Sequence, residues 1–283
     1  MRSKFFIIEA LSNLHVGSGE INYGLIDNLI QRDSITELPN INSSSLKGAL
    51  REYFKRLEEK GKNKDCDGKV LWTVTDIFGS DPKEDDLSKR KQGSVRFFEA
   101  ELLSIPIRCD DKPYEMVTSG EILKGLKEKL DAFGCFTSDE DILRKKLNST
   151  IRKIKKNEDR KNGLNALAPL FGAPLRDIDH ADFKQKCSDE ELPVISRNNL
   201  ENGQSANLWY EQVLPKRSRL GFICLGKDKN PVKDGIDYFE EFSKELGKAQ
   251  LQIGANATIG YGYCKIMDIQ SLNFNENQQD EED

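Results

Sequence analysis

With 283 residues, 37% of them hydrophobic, the chain is long enough for one large domain or for a core domain carrying insertions. Its 43 basic and 48 acidic residues leave a formal charge of −5, a weak argument against a nucleic-acid binder; the last eight residues, Glu276 to Asp283, hold five of those acids and no base, so the body is neutral and binding can rest on a local basic face. No apolar run is long enough to span a bilayer, the N-terminus lacks a secretory hydrophobic region, and the presence of only two histidines excludes multi-histidine metal sites and histidine-rich catalysis.

Lys4 to Leu11 is β-rich and predicts a short core strand, followed by a glycine-broken loop, His15-Val-Gly17-Ser18-Gly19. Leu25 to Arg32 contains a second, mostly apolar segment that follows a lone acid, Asp27. Ser43 or Ser44 caps a helix that runs to about Glu59, with Leu46, Leu50, Tyr53, Phe54 and Leu57 on one stripe. Its start carries Ser43, Ser44, Ser45, Lys47, Gly48 and Arg51. Free backbone N–H groups, hydroxyls and basic side chains at a helix start suit a phosphate, and serines there are also ordinary caps. Residues 61–92 read as an inserted loop, with Val70 to Phe78 open between helix and strand and Asp81 to Gln92 a charged surface loop.

Val95 to Ile107 predicts one strand, with Pro106 near an edge or end. Tyr114 to Thr118 is a brief strand, and Ser119 caps a helix through about Ala132. Residues 119–190 form a helical insertion. Within it, Ile142, Leu143, Leu147, Ile151 and Ile154 trace a stripe on a basic helix, either a solvated face or a lobe toward RNA or a neighbour. Pro193 to Arg197 and Asn207 to Leu214 predict a long hairpin, with Asn198 to Ser205 as a polar projecting tip. Leu220 to Leu225 is a core strand, Tyr238 to Leu246 a helix, and Tyr261 to Ile269 a last strand after a second glycine loop, Ile253 to Gly262. This irregular alternation fits α+β, one domain over residues 1–275 with insertions and an acidic tail over 276–283. The six cysteines include no Cys-x-x-Cys pair, so zinc and a short disulfide framework are not indicated and reduced thiols in the cytoplasm are expected.

Three ordered blocks resemble the RAMP superfamily of CRISPR proteins, and within it the backbone subunits of the type III-B effector, the Cmr complex. The first runs from His15 to Arg51. The second is Phe98 to Arg108 followed by Val117-Thr118-Ser119. The third runs from Arg197 through Trp209-Tyr-Glu211-Gln-Val-Leu-Pro215 to Gln252–Gly262. The chain departs from the family at Gly254-Ala255, where two glycines are usual, and at Asn198-Asn199, where acids are usual. The type III-A (Csm) backbone subunit is a related alternative that lacks a counterpart to the second block.

The resemblance implies an RRM-like (ferredoxin-like) core with the hairpin as a thumb, polymerising in a helical filament along crRNA beside other Cmr subunits. It further implies cleavage of paired target RNA at every sixth nucleotide, leaving a 2′,3′-cyclic phosphate and a 5′-OH. Gly17, Ser18, Gly19, Arg32, Ser43, Ser44, Ser45, Lys47, Gly48, Arg51, Arg197, Gly254, Asn256, Thr258, Gly260 and Gly262 would contact RNA. For Arg32 and Arg197 an intramolecular salt bridge is the alternative. Asp27 would be catalytic, holding a divalent Mg²⁺ or Mn²⁺ ion or accepting the 2′-OH proton, where its residue type alone suggests a turn aspartate. His15 is a candidate general acid or a packed loop histidine, and Glu211 a second acid or an ion-pair partner. A catalytically inactive crRNA-binding scaffold is the competing function. A small-molecule enzyme has no Walker-type or Rossmann arrangement to support it.

Overall fold

The computed structural model describes residues 1–19, 25–80, 90–136, 141–156, 164–202, 204–227, 237–272 and 274. The predicted acidic tail, the 81–89 part of the surface loop and the ends of the basic segment lie outside them.

The first strand, β1 (Arg2–Ala10), shows why the molecule has three layers. Side chains alternate across a strand. Phe6, Ile8 and Ala10 enter one apolar cluster, while Phe5 and Ile7 enter another on the opposite face. A strand buried on both sides reads as a continuous apolar run, as KFFIIEAL does.

On the first face lie α1 (Ser43–Glu59), the short α2 (Val74–Phe78) and a helix over Tyr238–Leu246. Phe54 of α1 is fully buried, with ring centroids 4.8 Å from Phe242 and 5.0 Å from Trp72. On the second face lie α3 (Gly120–Ala132), α4 (Ile142–Lys156) and, after them in the chain, the short α5 (Ala168–Phe171). Leu143 and Leu147 of α4 are buried there, so the apolar stripe of the basic segment belongs to the core, with Ile142 about half exposed at its edge.

The sheet contains β2 (Asn40–Ile41), β3 (Val95–Phe97), β4 (Ala100–Ile107), β5 (Glu115–Ser119), β6 (Leu175–Ile178), β9 (Arg219–Gly226), β10 (Gln250–Gln252) and β11 (Tyr263–Asp268). Its order is β10-β11-β1-β9-β4-β5-β6, with β2 on β4 and β3 on β9. The remaining strands, β7 (Val194–Glu201) and β8 (Gln204–Gln212), form a separate antiparallel pair. The last two helices in chain order are α6 (His180–Lys186) and α7 (Tyr238–Leu246).

Several expectations change. Val95 to Ile107 is two strands: Phe98 still bonds β9, its N–H on the Ile223 carbonyl at 3.0 Å, but the register against β9 slips by one residue between Phe97↔Cys224 and Glu101↔Gly221. Pro106 sits where β4 has run past β9 and pairs only with β5, so its missing donor costs no ladder bond on the β9 side. The 119–190 segment is not purely helical, since β6 pairs in parallel with β5. The hairpin is regular almost to its end: Asn198 and Asn199 pair with Leu208 and Asn207, where a looser excursion was expected. Ser119 does cap α3, accepting from the Ile122 N–H, as its sequence position predicts.

Candidate nucleic-acid interface

The two glycine loops, distant in sequence, are bonded to each other. The Ala255 N–H donates to the His15 carbonyl at 2.9 Å, and the Gly262 N–H to the Asn13 carbonyl at 2.8 Å. Gly254 adopts φ +82°, and a methyl group there would lie 2.2 Å from the His15 carbonyl oxygen. Glycine is required by that approach as well as by the left-handed backbone. Asn256 takes the same left-handed region at φ +64° and uses its side chain inward, donating to Glu211 at 2.8 Å.

The start of α1 faces these loops. Gly17, Ser44, Ser45, Gly48, Gln252 and Gly254 line one cleft of about 610 Å³. The N-cap is Asn42, not a serine, and it makes no side-chain bond to the first turn. Its backbone N–H is taken by Gln31 Oε1 at 2.9 Å, while Gln31 Nε2 donates to Ser45 Oγ at 3.1 Å. Ser43, Ser44 and Ser45 therefore occupy the first helical turn, whose backbone N–H groups carry the positive end of the helix dipole. Glu52 and Arg56 on the cleft wall pair with each other at 3.2 Å. Lys47, on the same turn, is half-buried and lies outside the lining of the cleft. Arg51 points elsewhere, with a guanidinium N–H on the Ser80 carbonyl at 3.3 Å. Thr258 and Gly260 lie on a short 3₁₀ turn (Ala257–Ile259) and its end, outside the lining of the cleft.

Asp27 is docked more firmly than a loop residue. Its Oδ2 accepts from the Tyr210 N–H at 2.7 Å, and the N–H groups of Asp27 and Asn28 both donate to the Tyr210 carbonyl at 3.1 Å. The Gln212 N–H returns a bond to the Asn28 carbonyl at 2.9 Å. The segment thus lies along the edge of β8, and continues to Gln31 in the cleft wall. An extended chain bridges those four residue steps within about 14 Å.

The next two residues of β8 gather the other candidates. Glu211, 6% exposed, accepts from Arg197 at 3.1 Å, Trp209 Nε1 at 3.0 Å and Asn256 at 2.8 Å. Burial pushes its carboxyl up, but the bonds from Trp209 and Arg197 outweigh this and hold it below the ordinary carboxylate range. His15, 5% exposed, donates from Nδ1 to the Gln212 carbonyl at 2.7 Å, which fixes the tautomer. Its Nε2 faces Gly17, where a methyl would come within 3.3 Å. His15 thus packs between the loop and the hairpin root.

Arg32 and Arg197 both occupy ion pairs. Arg32 binds Asp189 at 2.7 Å and the carbonyls of Glu37 and Cys187, and Arg197 lies 5.4 Å above the Trp209 ring as well as on Glu211. Gly19, at φ +77°, ends the described part of the first loop. Sequence reasoning missed Gln31 and Gln212. Gln212 is fully buried, with Oε1 accepting from the Ile30 N–H and Nε2 donating to Asp189. The available signal was a glutamine placed beside Val-Leu at the end of an apolar strand.

Glu211 predicts a pH effect. A carboxyl depressed in the fold stabilises it above the unfolded value near 4.5, and that stabilisation is lost as pH falls through the folded value. Acid titration of the wild-type chain, followed by Trp209 fluorescence, is expected to show loosening of the hairpin root below about pH 4.5. Glu211→Gln is expected to remove that transition; an unchanged acid profile would contradict the assignment.

The RAMP superfamily model matches residues 7–265. Over 94% of this chain and 95% of the relative, the chain is 25% identical to the CRISPR system Cmr endoribonuclease Cmr4 of Pyrococcus furiosus. It is 32% identical to the CRISPR system CMR subunit Cmr4 of Saccharolobus solfataricus over 48% of this chain and 41% of that one. Among solved structures, a chain of the type III-B Cmr-beta complex bound to cognate target RNA aligns with TM-score 0.70 at 22% identity, covering 95% of this chain and 98% of that one. Oligomeric Cmr4 from Pyrococcus furiosus aligns with TM-score 0.61 at 18% identity, covering 95% and 99%. The structural likeness extends the sequence match to the fold as a whole. With its family model running from β1 into β11, the chain belongs to the RAMP superfamily.

Proposed function

We propose that the protein is the backbone subunit of a type III-B CRISPR effector: copies of it assemble on crRNA beside other Cmr subunits, hold target RNA paired to the guide and cleave it. The observation that carries this reading is the convergence of the uncapped start of α1 and both glycine loops on one cleft, with Asp27 docked beside it. Full-length similarity to a Cmr endoribonuclease supports the activity, and the target-bound and oligomeric solved relatives support the partners.

The strand order β11-β1-β9-β4, with α1 after β1 and α7 before β11, is that expected of an RRM-like core. The β7–β8 hairpin is then the thumb. Residues 61–92, 119–190 and 194–214 read as additions to that single domain, and a cytoplasmic location suits this role. No helix among the described residues is long and apolar enough to cross a membrane.

Sequence choice is left to guide–target pairing, so the protein needs phosphate contacts rather than base readout. The first-turn N–H groups and hydroxyls of Ser43, Ser44 and Ser45 would donate to phosphate oxygens, with Lys47 adding charge. In the reaction, the 2′-oxygen attacks its neighbouring phosphorus and the bond to the 5′-oxygen breaks. The 2′-OH proton passes to the Asp27 carboxylate, and the leaving oxygen takes a proton from water. The thumb contributes by displacing a nucleotide, which allows in-line attack that a regular A-form strand prevents. His15, buried with Nδ1 committed to Gln212, orients the hairpin in this scheme.

A Mg²⁺ or Mn²⁺ ion would find one carboxylate oxygen of Asp27 outside the Tyr210 bond, and no group of three metal-binding side chains exists among the described residues. Such an ion would draw its other ligands from phosphate and water and would neutralise charge on the phosphate.

RNA titrations of the purified chain test the binding part. Affinity for a guide-length strand is expected to fall steeply with salt, and Lys47→Glu to weaken it about tenfold at 0.1 M salt. Binding that is absent, or indifferent to salt, contradicts the reading.

A further inference from the structure

A second cleft, this one basic and of about 610 Å³, opens at the root of the β7–β8 hairpin. Its cations are Arg108, Lys186, Lys216 and Arg217, against a single acid, Glu191. Glu191 pairs with Lys186 at 3.2 Å, which leaves three positive charges uncompensated in the lining. Arg108 and Lys216 are exposed and, among the described residues, their side chains have no hydrogen-bonding or ionic partner.

Arg217 is held differently. Its backbone is left-handed, φ +79°, which an L-residue other than glycine adopts only when its surroundings impose it. Its N–H donates to the Ala10 carbonyl at 2.6 Å, and its guanidinium lies 4.5 Å above the Tyr114 ring while donating to the Tyr114 hydroxyl at 3.1 Å. The fold therefore spends conformational strain on presenting one cation at a fixed place in this cleft.

The cleft is joined to the serine cleft by a single short segment. Asn13 lines the basic cleft, and Val16 and Gly17 line the other. Asn13 also accepts the Lys216 N–H on Oδ1 at 3.2 Å and the Gly262 N–H on its carbonyl at 2.8 Å. Four residue steps separate Asn13 from Gly17, so the clefts lie within about 14 Å along the chain. An electropositive cleft that continues a phosphate-holding surface past its glycine loops suits more of the same polyanion.

The geometry points to a second RNA-backbone site at the hairpin root, in which Arg108, Lys216 and the Tyr114-supported Arg217 hold phosphates of a strand passing the glycine loops. This deepens the reading of the chain as an RNA-binding subunit and rests on it. The strand is either the guide or the target paired to it, and the phosphate chemistry is the same for both.

The test uses full-length chain with Arg108→Glu and Lys216→Glu combined, titrated across salt with a guide-length single strand and with that strand annealed to its complement. Both substitutions fall on exposed side chains, and an unchanged thermal midpoint confirms folding; the Arg108→Ala, Lys216→Ala pair replaces the reversals if it shifts. Affinity is expected to weaken at least about tenfold at 0.1 M salt, with the log–log salt slope flattened by roughly 1.4, the value for two single-strand contacts. An equal loss with both RNAs assigns the guide, and a loss confined to the duplex assigns the target. Unchanged affinity and slope overturn the proposal. If Lys47→Glu still weakens binding in that case, the broader reading stands without this site; if neither variant changes binding, both fall.

Discussion

An effector assembled from Asp27→Asn subunits is expected to bind target RNA as tightly as the unchanged complex and to cut it at least about a hundredfold more slowly, the usual scale for losing a positioned proton acceptor. Asparagine is the informative choice because Asp27 has two roles in the structure. One carboxylate oxygen anchors the segment to the Tyr210 N–H at 2.7 Å, and an asparagine carbonyl can keep that bond. Asp27→Ala removes anchor and charge together. If asparagine restores cleavage while alanine does not, Asp27 acts by holding the loop against β8, and the chemistry lies elsewhere. If both variants cut normally, the scaffold reading replaces the nuclease reading. Single-turnover cleavage and target affinity, measured on the same preparations, separate these results.

The second large effect concerns the meeting of the glycine loops. Gly254→Ala is expected to cost about 2–4 kcal/mol, combining the left-handed penalty of an L-residue with the displacement of packed backbone. The new methyl would fall 2.2 Å from the His15 carbonyl, an atom that no side-chain rotation can move aside. Gly260 supplies the control. It has the same φ of +82° but nothing within 4 Å of an added methyl. Gly260→Ala should therefore cost only about 1–2 kcal/mol. Denaturant midpoints of the two variants should differ in that order, and RNA affinity should drop for Gly254→Ala alone. Equal midpoints would show that the loops do not bear on each other as described.

How much of this was legible in the sequence depends on whether a feature is local. The KFFIIEA strand and the Tyr238–Leu246 helix appear where apolar pattern places them, because each is buried along a face set by its own periodicity. The Ser119 cap is likewise a local event. Asn42 displaced the serines as the cap of α1 because Gln31, eleven residues away, binds its backbone N–H and fixes where the helix begins. The break between β3 and β4 is imposed by pairing with β9, more than a hundred residues later. β6 is four residues long and stable only as a parallel neighbour of β5, so no pattern of its own announces it.

The site divides in the same way. Its glycine and serine motifs were visible one by one, while their assembly depends on bonds such as Ala255 to His15 that join opposite ends of the chain. Arg32, Arg51 and Arg197 show the limit of residue type. Each is a plausible phosphate ligand, and each is occupied inside the protein by an acid or a carbonyl.

The most direct measurement is a cryo-EM structure of the chain assembled on guide and target RNA. Guide phosphates are expected within hydrogen-bonding distance of the first-turn N–H groups and hydroxyls at Ser43, Ser44 and Ser45, with the scissile target linkage beside Asp27. A guide that runs over another face of the molecule, leaving the serine cleft open to solvent, would contradict the account.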